Sequence, residues 1–202
     1  MATNVKLDNT RLEQARRRVT FTGLGEVMFD RYAGDNKTRL EWSQKIYLGT
    51  DSKTVCLPAL NIMSLLTAHN TNSAPKRLRD KREYKDLCNA CLSFLLINPG
   101  YIPFTRNGKT IEVGKFEADR DPKSGMYLHR AVARLDKGIP NPKERPVLPL
   151  PWELSFDLTI LPNKEIQEQE IVNLLQDAGR AIGIGTWRGL FGKFSVTQWD
   201  EI

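Results

Sequence analysis

The chain lacks almost everything that marks a membrane protein, a disulfide scaffold or one of the common catalytic classes. No apolar run approaches the roughly 20 residues that a membrane-spanning helix needs; the greasiest stretch, 92–97, reads as the end of a helix. The opening residues, MATNVKLDNTRLEQARRRV, have no apolar centre of the kind a secretory signal requires, so a cytoplasmic location with no membrane partner is expected. Histidine is represented only by His69 and His129, and no Ser/His/Asp set assembles around either. Three cysteines, Cys56, Cys88 and Cys91, are an odd number, which fits reduced thiols better than a disulfide framework. Cys88 and Cys91 have metal-ligand spacing, but a zinc site needs four ligands and no second close pair exists. At i and i+3 the two thiols share a helical face with Leu87, Leu92 and Leu95, so they read as core. No GxxxxGK[ST] phosphate loop occurs. No repeat or low-complexity tract is present either. No catalytic residue, no metal and no cofactor is expected.

What is present is an ordinary globular composition with a basic excess. The 202 residues are 40% hydrophobic and 27% charged, enough for one well-buried domain with insertions. A net charge of +6 and an isoelectric point near 9.3 favour an anionic partner.

Residues 1–18 are polar, end in Arg16, Arg17 and Arg18, and read as a basic N-terminal arm. A strand is expected over 19–29, interrupted by Gly23 and Gly25, then a charged hairpin-like segment with a second strand at 40–48. Pro58 opens a helix, PALNIMSLLTAH, with an apolar stripe. A second helix is expected over 76–96, basic in its first half through Lys76, Arg77, Arg79, Lys81, Arg82 and Lys85. Asp80, Glu83 and Asp86 are interleaved, so this half is either a solvated face with i,i+4 ion pairs or a phosphate-facing patch. Short strands are expected at 101–104, 110–116 and 127–135, with Asn107-Gly108 as a tight turn. The stretch 137–151 holds five prolines and is expected to be an irregular connection.

The final third is the clearest. Trp152, Leu154, Phe156, Leu158 and Ile160 alternate with Glu153, Ser155, Asp157 and Thr159, the pattern of a strand with one buried face. Ile171, Leu174, Leu175, Ala178 and Ile182 make the stripe of a helix that ends at Gly183, and 193–199 is a further strand. Between helix and strand lies GIGTWRGLFGK, with Gly183, Gly185, Gly189 and Gly192 around Trp187 and Arg188. A dinucleotide fingerprint has its glycines after a strand and before a helix, where the helix N-terminus holds the pyrophosphate. Here the order is reversed, so positive charge has to come from side chains such as Arg180, Arg188 and Lys193. An aromatic ring and an arginine in such a loop suit base stacking and phosphate pairing. The alternative is that the glycines only permit a tight passage from helix to sheet.

The helix followed by GIGTWRGLFGKFSV and the chain end resembles the C-terminal signature of the RAMP superfamily, RNA-binding proteins of CRISPR effector complexes. YLGTDSKTVCLPALNIMSLL similarly resembles the strand, proline-anchored loop and first helix that run along the bound guide in that family's backbone subunits. Leu57-Pro58-Ala59-Leu60 stands where the family usually has isoleucine-proline-glycine-serine. The resemblance implies an α+β, ferredoxin-like (RRM-type) β-α-β-β-α-β core over 19–202, with a β-hairpin insertion near 30–48 and a helical one near 70–97. It implies a non-catalytic protein that binds single-stranded nucleic acid, RNA or DNA, and oligomerises side by side along it, as a homo-oligomer or within a multi-subunit complex. Carried over, Gly183, Gly185, Gly189 and Gly192 form the glycine-rich loop and Arg188 meets phosphate. Stacking by Trp187 follows from its chemistry alone. Lys193, the arm (Arg16, Arg17, Arg18) and the basic helix (Lys76, Arg77, Arg79, Arg82) complete the candidate nucleic-acid-binding set. Two other functions remain open: a protein-interaction, inhibitor or structural module of phage origin, and a metal-dependent nuclease using Asp30 and Asp35.

Overall fold

The computed structural model describes residues 14–35, 37–69, 72–80, 83–134 and 140–202, and the fold is α+β. Its larger sheet is built around β1 (Ala15–Gly23), which lies antiparallel to both β9 (Glu153–Ile160) and β10 (Phe194–Glu201). The order runs β10-β1-β9-β5-β3, with β5 spanning Tyr101–Arg106 and β3 Cys56–Pro58. Two short strands join the margins: β4 (Leu95–Asn98) pairs with β9, and β6 (Lys109–Thr110) pairs with β5. Because β1 separates them, β9 and β10 run parallel to each other, joined by helix α4 (Glu168–Ala181). A second sheet holds β2 (Val27–Met28), β8 (Pro140–Leu148) and β7 (Tyr127–Arg134) in the order β2-β8-β7.

Alternation explains the larger sheet. Val19 and Phe21 point into the core with Leu154, Phe156, Leu158 and Phe194, while Thr20, Thr22, Ser155 and Asp157 point outward. Phe21 stacks on Phe194 at 4.0 Å and meets Phe156 edge-on at 5.0 Å. Among the described residues four helices cover the inner face: α1 (Ala59–Thr67), α2 (Ala74–Leu78), α3 (Tyr84–Phe94) and α4. Helix α4 buries Ile171, Leu174, Leu175 and Ala178, with Glu168 and Glu170 at its positive end and Arg180 at its negative end. It ends as expected: Gly183 adopts φ +89° and its N–H caps back onto the Ala178 carbonyl at 2.9 Å. Cys88 and Cys91 are buried in α3, and burial pushes the Cys91 thiol up to about 12.

Several expectations are corrected. The strand expected over 40–48 is replaced by a 3₁₀ turn at Trp42–Lys45, closed by reciprocal Glu41–Gln44 capping, with Trp42 edge-on to Phe116 at 4.4 Å. No β-hairpin forms among the described residues of 30–48. The single helix expected over 76–96 is two helices, α2 and α3, followed by β4, and α2 starts on a Ser73 side-chain cap. The proline-rich stretch forms strand β8. Its Pro140, Pro142 and Pro146 share one parity, and the Pro146 carbonyl accepts from the Phe29 N–H, so this parity faces away from β7. The missing N–H groups therefore fall where the β7 ladder does not need them. Finally, β1 begins before Val19, so Arg16, Arg17 and Arg18 stand in the sheet rather than in an arm; residues 1–13 lie outside the described residues.

One buried carboxylate organises the loop before β7. Asp121 is fully buried and accepts from the amides of Gly114 (2.9 Å), Lys123 (3.0 Å) and Ser124 (3.2 Å) and from the Ser124 hydroxyl. Burial pushes its pKa up, but these hydrogen bonds outweigh it and leave the carboxyl below the usual range. A depressed folded pKa means stability that is present above the ordinary carboxylate range and is lost as pH falls through the folded value. Asp121→Asn is expected to cost about 1–3 kcal/mol at neutral pH and to flatten the acid side of the curve of melting temperature against pH. An unchanged acid limb would show that Asp121 does not carry this dependence.

Candidate nucleic-acid interface

The glycine-rich loop after α4 is held on three sides. Its backbone docks on β2 through Gly192 N–H to the Glu26 carbonyl (2.7 Å) and Thr186 N–H to the Met28 carbonyl (2.9 Å). It closes on itself through Ile184 N–H to Gly192 (2.9 Å) and Gly189 N–H to Ile182 (2.6 Å). The glycines are needed for this: a Cβ on Gly185 would stand 2.6 Å from the Met28 oxygen, and one on Gly183 would stand 2.7 Å from the Phe191 oxygen. To this extent the tight-passage reading of the glycines holds. Gly189 differs, since it has φ +99° and open space where a Cβ would go.

On the third side the loop is clamped to α1. The Asn61 side chain accepts from the Gly185 N–H at 3.0 Å and donates to its carbonyl at 3.4 Å. Arg188 reaches back across the same gap. Its guanidinium donates to the carbonyls of Asn61 (2.9 Å), Asn72 (3.2 Å) and Gly185 (3.4 Å) and to the Ser64 hydroxyl (2.9 Å). All four acceptors are neutral. Burial lowers the Arg188 pKa, yet a guanidinium stays protonated, so a cation stands here without a carboxylate partner among the described residues. Four of its five N–H groups are occupied, so a phosphate would meet its uncompensated charge and one spare donor.

Arg188, Ser64, Asn72, Thr186 and Trp187 line an open pocket of about 430 Å³ between the loop and the end of α1. Trp187 is 44% exposed and has φ +56°, an outlier for so bulky a residue. Such backbone strain costs on the order of 1–3 kcal/mol and gathers at functional positions. Its ring lies 5.9 Å from His129 of β7 and 6.0 Å from Phe191. Leu190 at the loop tip is also exposed.

The other expected residues are placed less favourably. Lys193 follows the loop; its carbonyl accepts from Leu24 and Gly25, and its side chain has no ion-pair partner among the described residues. Arg16 and Arg18 turn to the outer sheet face and engage Asp157 at 3.7 and 2.5 Å. Arg17 turns inward to Glu168 at 2.7 Å and Glu201 at 3.7 Å. Lys76 donates to the His69 carbonyl at 2.7 Å, and Arg77 is exposed without a partner among the described residues. Arg79 pairs with Asp177 at 3.3 Å and lines a separate cavity of about 620 Å³ with Glu83, Asp86, Glu165 and Glu170, an acidic setting unsuited to phosphate. Arg82 lies outside the described residues. The Asp30 carboxylate engages Arg145 at 2.7 Å and Lys45 at 3.6 Å, while Asp35 closes its own turn on Lys37 and Thr38.

Sequence reasoning missed Asn61 and Ser64. Their i,i+3 spacing on the polar side of α1 was a signal of a second contact face. His129 left no local signal, because its neighbours Trp187 and Phe191 come from the glycine-rich loop, distant in sequence.

No family model matches the chain, and no curated protein sequence matches it. Among solved structures it is similar to a chain of the cryo-EM structure of the Type III-B Cmr-beta bound to cognate target RNA. The TM-score is 0.59 at 10% identity, over 94% of this chain and 61% of that one. The two chains share a fold. The chain thus spans less than two thirds of its neighbour's length, and the likeness is one of fold. Among the described residues no helix is long and apolar enough to cross a membrane.

Proposed function

We propose that this chain is a non-catalytic single-stranded nucleic-acid-binding protein that oligomerises side by side along the strand, with a ferredoxin-like core. One observation carries the reading: the two stretches that bear the RAMP resemblance, 124 positions apart, meet at Asn61–Gly185 and Ser64–Arg188. Their meeting place is the pocket with an uncompensated cation and a strained, exposed tryptophan. The strand order β10-β1-β9-β5, with α1 and α4 on one face, supports the ferredoxin-like topology. The RNA-bound assembly of the structural neighbour supports nucleic acid, RNA first, as the ligand, and a multi-subunit assembly as its setting.

In this reading Arg188 supplies charge from within the wall, Lys193 and Arg77 add positive charge outside the pocket lining, and Gly189 lets the strand approach the backbone. Arg16, Arg17 and Arg18 add to the overall positive field, although Arg17 is paired with Glu168 and Arg16 and Arg18 share the single carboxylate of Asp157. The experiment is a titration of fluorescent single-stranded oligonucleotides by anisotropy at several salt concentrations. Log affinity is expected to fall linearly with log salt as counterions are released. Lys193→Gln is expected to weaken binding for every sequence and to reduce the salt slope by about 1. Light scattering of the bound protein is expected to give large particles that shrink on nuclease digestion. Absence of binding at low salt, or a salt-independent affinity, would sink the proposal and favour a protein partner for this surface.

A further inference from the structure

We infer that His129, Trp187 and Phe191 form a nucleobase-binding site, so that the chain holds an unpaired base as well as the backbone. The inference rests on the nucleic-acid reading above and adds to it both residues and a ligand group.

The three rings converge from two parts of the fold. His129 stands on β7 of the small sheet, and Trp187 and Phe191 flank the tip of the glycine loop. Their centroids form a near-equilateral triangle of 5.9, 5.6 and 6.0 Å. The imidazole is steeply inclined to both larger rings, at 68° and 69°, whereas those two are only 36° apart. Edge-to-face packing of this kind fixes ring planes, so His129 acts as a positioning residue for Trp187. None of the three is buried, and Trp187 is exposed on the same lip as the Arg188 pocket. A base stacked on Trp187 would therefore have its phosphate within reach of the uncompensated cation.

The rest of the molecule makes this the place for a base. RRM-type sheets stack bases on aromatic residues of the sheet face. Here the outer face of β1, β9 and β10 carries Thr20, Thr22, Ser155 and Gln198, tied together as Thr20 to Ser155 (2.9 Å) and Thr20 to Gln198 (2.7 Å), and no ring. Trp199 of β10 faces the other way and donates to Glu168 at 2.6 Å. The exposed ring on this outer face is Tyr101, on β5 near the sheet margin, so the central strands offer no stacking platform and the loop does. The left-handed backbone of Trp187 points the same way, because a glycine would occupy that conformation without strain.

The test compares an intact single-stranded oligonucleotide with one of equal length and charge whose residues are abasic, using the full chain at matched salt concentrations across a series. The intact strand is expected to bind roughly 5- to 150-fold more tightly, the range of one stacked base. Trp187→Gly keeps the charges and suits the backbone, so it is expected to fold at least as stably and to bind both strands equally. His129→Leu is expected to reduce the preference for the intact strand, and His129→Phe to restore it. Equal binding of both strands by the wild type, with the salt response intact, would overturn the base site and leave the backbone reading standing. A preference that survives Trp187→Gly would overturn the assignment to this triad. Binding of neither strand would overturn both readings.

Discussion

Gly192→Ala is expected to destabilise the protein by about 2–5 kcal/mol, and to loosen the whole loop. Gly192 adopts φ +76°, and a Cβ there would overlap the carbonyl oxygen of Ile184. The left-handed conformation costs an alanine about 1–2 kcal/mol. Forcing atoms into filled space costs about 1–3 kcal/mol more. The obstacle is backbone, so no rotamer change relieves it. Two hydrogen bonds are also at stake, Ile184 N–H to Gly192 and Gly192 N–H to Glu26. Gly189→Ala is the internal control, with a larger φ of +99° and nothing within 4 Å of its Cβ. It carries the conformational cost without the overlap. Urea unfolding of the two variants should separate them by the overlap term; equal losses would mean that the packing of Gly192 on Ile184 contributes nothing.

Trp152→Ala is expected to cost about 3–5 kcal/mol, the range for removing a large buried ring. Against a total stability of about 5–15 kcal/mol for a domain, that is a large fraction. Trp152 is fully buried and meets Phe104 edge-on at 5.5 Å, and Gly23 is glycine because a Cβ there would run into the indole. The indole N–H donates to the Gly25 carbonyl at 2.8 Å, which pins the turn from β1 to β2. The next residue, Glu26, receives the Gly192 N–H, so the same ring supports the site from beneath. Trp152→Phe keeps an aromatic ring but leaves the Gly25 carbonyl unpaired, and an intermediate loss is expected. Oligonucleotide affinity measured on folded Trp152→Phe should fall as well, since the Gly25–Glu26 backbone that holds the loop is released. A loss below about 1 kcal/mol for Trp152→Ala would contradict the buried geometry.

Much of the fold was legible because it depends on neighbours in the chain. Strict alternation from Trp152 to Ile160 specifies a half-buried strand whatever lies beside it. The stripe of Ile171, Leu174, Leu175 and Ala178 specifies a helix, and Gly183 ends it by taking the conformation other residues avoid. The glycine loop was legible for the same reason. The errors share the opposite cause. Proline-rich 140–148 became a strand because its neighbour β7 needs donors only from the other parity. Residues 40–48 lost their strand to a local Glu41–Gln44 cap, a polar contact weightier than the weak apolar pattern.

The chain by itself determined the parts: the final β-α-β unit, the buried cysteines, the basic excess and a loop holding Trp187 and Arg188 among glycines. The tertiary structure alone decided which cations are free. Arg16, Arg17, Arg18 and Arg79 found acids on strands and helices distant in sequence, while Arg188 found only neutral acceptors among the described residues. It also decided that Asn61 and Ser64 face the loop and that His129 meets Trp187. Secondary structure follows from the periodicity of a few adjacent residues, whereas the partner of a charge or a ring follows from strand order and register. Those bring together residues far apart in the chain, and no local pattern encodes them.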